Sequence, residues 1–142
     1  MAEQLEVTVN LTNQKVQFTG ISRSNPAVVF DYNPPLGDGQ GYTGLEMLLM
    51  SLAACSGTSV VALLRKMGKT VSGFKVIAKG IRRDEHPTAF EKIFLLFMVN
   101  SENTEDADMQ KAIRLSEETV CPVWAMVKGN VEIITEHRII AS

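Results

Sequence analysis

Four side chains in this 142-residue sequence are candidates for nucleophilic, redox or metal chemistry: Cys55, Cys121, His86 and His137. A structural zinc centre needs clustered ligands, typically in closely spaced pairs. Here the cysteines are far apart and the histidines stand singly on a turn and a strand, so neither a metal site nor a cofactor is expected. Gly37, Gly39 and Gly41 precede a helix that offers no lysine to reach a phosphate, which argues against a phosphate-binding loop. No motif supports a Cys-His-Asp triad. The cysteines carry more information. In the plainest reading Cys55 is a small buried hydrophobe and Cys121 an ordinary loop cysteine. Yet Ser51, Leu52, Thr58 and Ser59 are the helical neighbours of Cys55, and the three hydroxyl residues among them are small enough to let another group approach the sulfur. Cys121 precedes Pro122, where a helix N-cap would expose it to the free amides of Val123 and Trp124 and lower its thiol pKa.

The element that must position Cys55 is the stretch from Thr43 to Gly68. Thr43 and Glu46 form a Ser/Thr-x-x-Glu capping box, flanked by Tyr42 and Met47 as a hydrophobic staple. Arg65 and Lys66 suit the negative end of the helix dipole, and Gly68 supplies the left-handed stop. No residue from Met47 to Leu64 is charged, so the helix is expected to be buried on nearly all sides. The run has about the minimum length for a membrane span, ~18 residues, but it is diluted by hydroxyl residues and lacks an aromatic belt. A central core helix is the expectation.

Ahead of it, Leu5, Val7, Val9 and Leu11 alternate with polar residues as a half-buried strand, followed by strands at Lys15–Gly20 and Ala27–Phe30 and a proline- and glycine-rich loop from Tyr32 to Gly41. Behind it, Gly73–Arg82 alternates. Phe90–Val99 is almost continuously apolar, as in a central strand covered on both faces. Thr104 is the expected cap of a second helix, with Met109, Ala112, Ile113, Ser116 and Val120 as its stripe. Pro122 starts a short helix with Cys121 as N-cap, and Val131–Ile140 is the last strand. The order β-β-β-α-β-β-α-α-β is of the α+β class, read as a single domain with N-terminal strands over residues 1–42 and a helix-centred part over 43–142.

Composition agrees. The chain is 45% hydrophobic and 21% charged, with a formal net charge of −2, which gives no footing for nucleic acid or an anionic membrane as partner. The N-terminus MAEQLEVTV lacks the basic and apolar regions of a signal peptide, so a cytoplasmic protein with reduced thiols is expected.

Two runs resemble a known family. Gly44–Cys55, GLEMLLMSLAAC, is similar to the central-helix signature of the OsmC/Ohr family, which ends in a reactive cysteine. Cys121–Gly129, CPVWAMVKG, is similar to that family's second motif, Cys-Pro-Val-Ser before a short helix and strand. The resemblance implies antiparallel sheets around a long cysteine-bearing helix, in an intertwined homodimer with sites at the subunit interface. It implies a thiol-dependent peroxidase for organic hydroperoxides, part of an antioxidant response. Cys55 would be the peroxidatic thiolate and Cys121 its partner in a Cys55–Cys121 disulfide, reset by an external dithiol of the lipoyl type.

Three positions depart from the family pattern. Well understood members pair the thiolate with an arginine from the N-terminal strands and a glutamate on the cysteine helix. Aligned from Cys55, Leu45 holds the glutamate's place and Glu46 follows one residue later, turned by about 100°. Arg23 is the sole arginine before the helix. Trp124 replaces a small residue, which would narrow the site. The alternative function is that of a binding protein of the same fold, holding a small lipid-like ligand in an apolar pocket without significant peroxidase activity.

Overall fold

A computed structural model describes residues 3–141. The chain divides into two compact units, Met1–Leu48 and Leu49–Ser142, with the long helix running across the division.

In the first unit, β1 (Thr8–Leu11), β2 (Phe18–Ile21) and β3 (Val28–Phe30) form an antiparallel sheet in that order, with Leu11 opposite Phe18 and Phe18 opposite Phe30. The expected half-buried strand at Leu5–Leu11 is shorter, and all of β1 is exposed; Val7 retains 67% of its surface and Leu11 56%. The alternation is that of a face to be covered, and within the first unit it stays open. After β3 the buried Asp31 organises the following loop. Its carboxylate accepts the amides of Tyr32 (2.8 Å), Asp38 (3.2 Å) and Gln40 (3.0 Å). These donors, Gln40 foremost, hold the Asp31 carboxyl below the usual range against the opposing effect of burial.

Helix α1 (Gly44–Lys66) begins and ends as its sequence directs. The Thr43 amide donates to Glu46 Oε1 (2.9 Å) and the Glu46 amide to Thr43 Oγ1 (3.2 Å), a reciprocal capping box. At the other end Gly68 has φ +82°, the Gly68 amide bonds Arg65 O and the Lys69 amide bonds Leu64 O, which is a Schellman closure. The expectation of burial all round is corrected. Leu52, Ser56, Gly57, Ser59, Val60 and Leu64 are buried, whereas Met50, Ser51, Ala54, Thr58 and Ala62 stay exposed. One face of α1 is thus covered within this chain. By length and composition α1 could cross a membrane, but its buried face packs on a sheet.

That sheet belongs to the second unit, in the order β4 (Gly73–Arg82), β5 (Phe90–Asn100), β6 (Glu132–Ile140). β4 and β5 are antiparallel, from Gly73 opposite Asn100 to Arg82 opposite Phe90. One ladder departs from the all-antiparallel expectation: β6 runs parallel to β5, with Lys92 opposite Glu132 and Asn100 opposite Ile140. Parallel neighbours need a long crossover, supplied here by α2 (Asp106–Leu115), a π-helical turn (Ser116–Val120) and α3 (Pro122–Val127). The N-cap of α2 is Glu105, whose amide donates to Asp108 Oδ2 (2.8 Å). The expected cap, Thr104, is buried and its hydroxyl pairs with that of Ser101 (2.7 Å).

Ile93, Leu95, Phe97 and Val99 on one face of β5 are buried, together with Leu52, Val60, Leu64, Met109, Ala112 and Trp124. The other face is open in part: Phe94, Leu96 and Met98 are half-buried and Ile77 beside them is 48% exposed. β5 is therefore central, as its continuous apolarity suggested, but this chain covers it on one face only.

Candidate redox site

Cys55 lies near the middle of α1 and is half-buried. Cys121 lies outside any helix turn, with extended backbone (φ −80°, ψ 110°), as N-cap of α3 with Pro122 at the first helical position. This local geometry follows from the residues: the proline forbids helix at Cys121 and is pre-set for the first turn of α3. The Cys121 amide donates to Ser116 O (2.9 Å), which closes the preceding π turn. Cys121 Sγ accepts the Trp124 amide at 3.4 Å.

The fold brings the two cysteines together. Both are free thiols, and Cys55 lies near enough to Cys121 to act on its thiol. The sequence had suggested a lowered pKa for Cys121, and the structure overturns this. Burial, with 2% of its surface left, pushes the thiol up. The Trp124 amide opposes burial, but the neighbouring Cys55 adds to the upward shift. Desolvation of a thiolate outweighs one or two amide dipoles at a short helix. Cys121 is accordingly held as a protonated thiol at neutral pH.

The hydroxyls around Cys55 do not serve the sulfur. Thr58 donates to Ala54 O (2.7 Å), Ser59 to Cys55 O (3.1 Å) and Ser56 to Leu52 O (2.7 Å). What they contribute is small size. Glu46 is engaged in its cap, and Arg23 sits exposed in a turn with φ +56°. Of the histidines, His86 is exposed on the turn, while His137 Nε2 meets Asp106 Oδ1 at 3.0 Å.

Three features escaped sequence reasoning. Trp124 does not stand at a mouth: it is 1% exposed and its ring stacks on Phe97, centroids 6.5 Å apart at 13°. The π turn inserts a residue just before Cys121, and Ser116 Oγ within it is buried without a hydrogen-bond partner among the described residues. Asp31 ties the loop, a role that a short acidic residue ahead of a Pro- and Gly-rich stretch could have signalled.

The arrangement defines an α+β protein with a free dithiol built from a long helix and the cap of a short one. Residues 37–136 match the family described as OsmC-like protein, and the chain belongs to that family. It is 33% identical over 125 residues to Protein YhfA of Escherichia coli (strain K12), covering 88% of this chain and 91% of that protein. A crystal structure of a hypothetical protein from Aquifex aeolicus has a TM-score of 0.87 at 28% identity, covering 99% of each chain. The fold is also that of an organic hydroperoxide resistance protein OsmC, described as a predicted redox protein, from Legionella pneumophila. There the TM-score is 0.70 at 10% identity, covering 99% of this chain and 98% of that one.

Proposed function

We propose that this protein is a thiol-dependent peroxidase that reduces organic hydroperoxides at the Cys55–Cys121 pair. The observation that carries the reading is the proximity of two free thiols from distant parts of the chain. In the first step the Cys55 thiolate attacks the terminal peroxide oxygen. The O–O bond breaks, Cys55 becomes a sulfenic acid, and the alkoxide leaves as the alcohol after taking a proton. In the second, Cys121 attacks the Cys55 sulfur. A disulfide forms as Cys121 gives up its proton, and the sulfenic hydroxide leaves with that proton as water. An external dithiol of the lipoyl type then reduces the disulfide through a mixed disulfide, giving two electrons and two protons to Cys55 and Cys121 and ending as its own cyclic disulfide.

The working form is a homodimer of single-domain subunits in the cytoplasm. Support comes from the apolar surface that one chain leaves bare on β1–β3 and on one side of α1. Mass spectrometry of the reduced protein with one equivalent of cumene hydroperoxide tests the chemistry. The expected product is lighter by two hydrogens and yields a Cys55–Cys121 linked peptide. Turnover that survives in Cys55→Ser would refute the mechanism.

A second reading, a binding protein for a small lipid-like ligand, is favoured by one feature. The first unit holds an open apolar cavity of about 320 Å³, lined by Val7, Val9, Ile21, Val28, Phe30 and Met47 among others. On that reading Cys55→Ser keeps full ligand binding, and hydroperoxide leaves both thiols unmodified.

A further inference from the structure

We infer that Trp124 is a positioning residue for the thiol pair: its ring, seated on the Phe97–Phe74 aromatic pair of the sheet, sets where Cys121 stands relative to Cys55. The inference rests on the peroxidase reading and adds to it the part that fixes the sulfur–sulfur distance.

Both cysteines are carried by helices that lean on the same patch. On the Cys55 side, α1 meets β4 at Gly57, two residues past the cysteine. A methyl group there would stand 3.2 Å from Val76 Cγ2 and 3.9 Å from Phe74 Cε1. Helix and strand are therefore closer here than a side chain at position 57 would fit without a shift. On the Cys121 side, α3 is only six residues long and cannot hold its own position. Its buried residue is Trp124, stacked on Phe97. The patch is continuous, since the Phe97 and Phe74 rings are 6.4 Å apart at 56°. Offset and tilted ring pairs at such separations attract and resist sliding.

Trp124 reaches Cys121 by a second route, because its own amide is the group that donates to Cys121 Sγ. Any movement of the ring that carries the backbone with it moves the sulfur's donor. On the other flank the Cys121 amide is fixed to Ser116 O. The sulfur is thus held between a ring seated in the core and the π turn. A serine at position 124 would keep the amide but lose the seat.

The consequence falls on the resolving step, in which Cys121 must reach the Cys55 sulfenic sulfur and expel water. A thiol held in place acts at high effective concentration, and that advantage shrinks when its support loosens. The test uses the full chain as wild type, Trp124→Ser and Trp124→Phe, equilibrated in dithiothreitol redox buffers and read by thiol alkylation and mass. In parallel, each is treated with one equivalent of cumene hydroperoxide in the presence of dimedone.

Trp124→Ser is expected to lower the equilibrium constant for the disulfide about tenfold, equivalent to a potential about 30 mV less reducing. It is also expected to accumulate a dimedone adduct at Cys55. Trp124→Phe, which keeps a stackable ring, restores disulfide formation over the adduct. A folded Trp124→Ser with the wild-type constant and no adduct overturns the inference, even if its melting temperature falls, because a purely structural role predicts that result. Should Trp124→Ser fail to fold, Phe97→Leu removes the same stack from the sheet side and is judged by the same two readouts. Wild type that forms no disulfide defeats the peroxidase reading itself, a result distinct from either outcome in the variants.

Discussion

Replacing Gly57 by alanine sets two effects of known size against each other. In an exposed helix the change stabilises, because alanine exceeds glycine in helix propensity by about 1 kcal/mol. At this position the new methyl would lie 3.2 Å from Val76 Cγ2, where carbon atoms prefer about 3.5–4.0 Å. Something must yield by a few tenths of an ångström. Val76 is β-branched, so its side chain has little rotameric choice. Its strand is paired along its length with β5, and Phe74 Cε1 would lie 3.9 Å from the same methyl. Overpacking of this kind costs about 1–3 kcal/mol. The clash therefore offsets or outweighs the propensity gain, and Gly57→Ala is expected to destabilise by about 0–2 kcal/mol. Urea unfolding at one fixed protein concentration measures this as a fall in midpoint at unchanged slope. A rise in midpoint by the full propensity gain would show that α1 is free to lift from β4, and the close helix–sheet approach argued above would be wrong.

Other substitutions probe the remaining supports. Thr43→Ala removes the acceptor for the Glu46 amide and should cost about 1 kcal/mol, read as a lower urea midpoint. Cys121 binds its proton more tightly folded than unfolded, so its contribution to stability is complete below the unfolded thiol value and is lost as pH rises from there through the higher folded one. Wild type should lose stability relative to Cys121→Ser above about pH 9, by at most ~1.4 kcal/mol per pH unit; parallel curves would contradict the assigned shift. Asp31 has the opposite sign. Its carboxyl is held low by three amides, so its contribution is present above the unfolded value and disappears as pH falls through the folded one. The stability gap between wild type and Asp31→Asn should therefore narrow in acid, and a constant gap between pH 7 and pH 3 would show that the charge is not what the loop uses.

Local signals were legible in the sequence, and tertiary ones were not. The Thr43–Glu46 box, the Gly68 stop and the Cys121–Pro122 helix start all appear where their residue types put them, since each depends on neighbours within five positions. The apolar patterns of Leu5–Leu11 and α1 led to an expectation of burial that this chain does not meet at β1 or on one side of α1, because periodicity does not say what covers a face. The thiol shift at Cys121 was misjudged because capping is local while burial is set by Cys55 and the core. Thr104 lost the cap to Glu105 because its hydroxyl found Ser101, a competition between equally plausible partners. The π turn at Ser116–Val120 had no sequence signature, because one inserted residue leaves the apolar stripe nearly unchanged.

The parallel pairing of β6 also sets the order in which the molecule can assemble. β4 and β5 are joined by a short turn and can zip from it, whereas Lys92 must wait for Glu132, forty positions on, before the third strand can dock. Closing so long a loop is entropically costly until its contacts repay it, which makes such pairings slow. Cys121 lies inside that crossover. The meeting of the two sulfurs is thus a late event in folding, and a chain still emerging or still collapsing keeps its thiols apart until the scaffold that governs their reaction has closed around them.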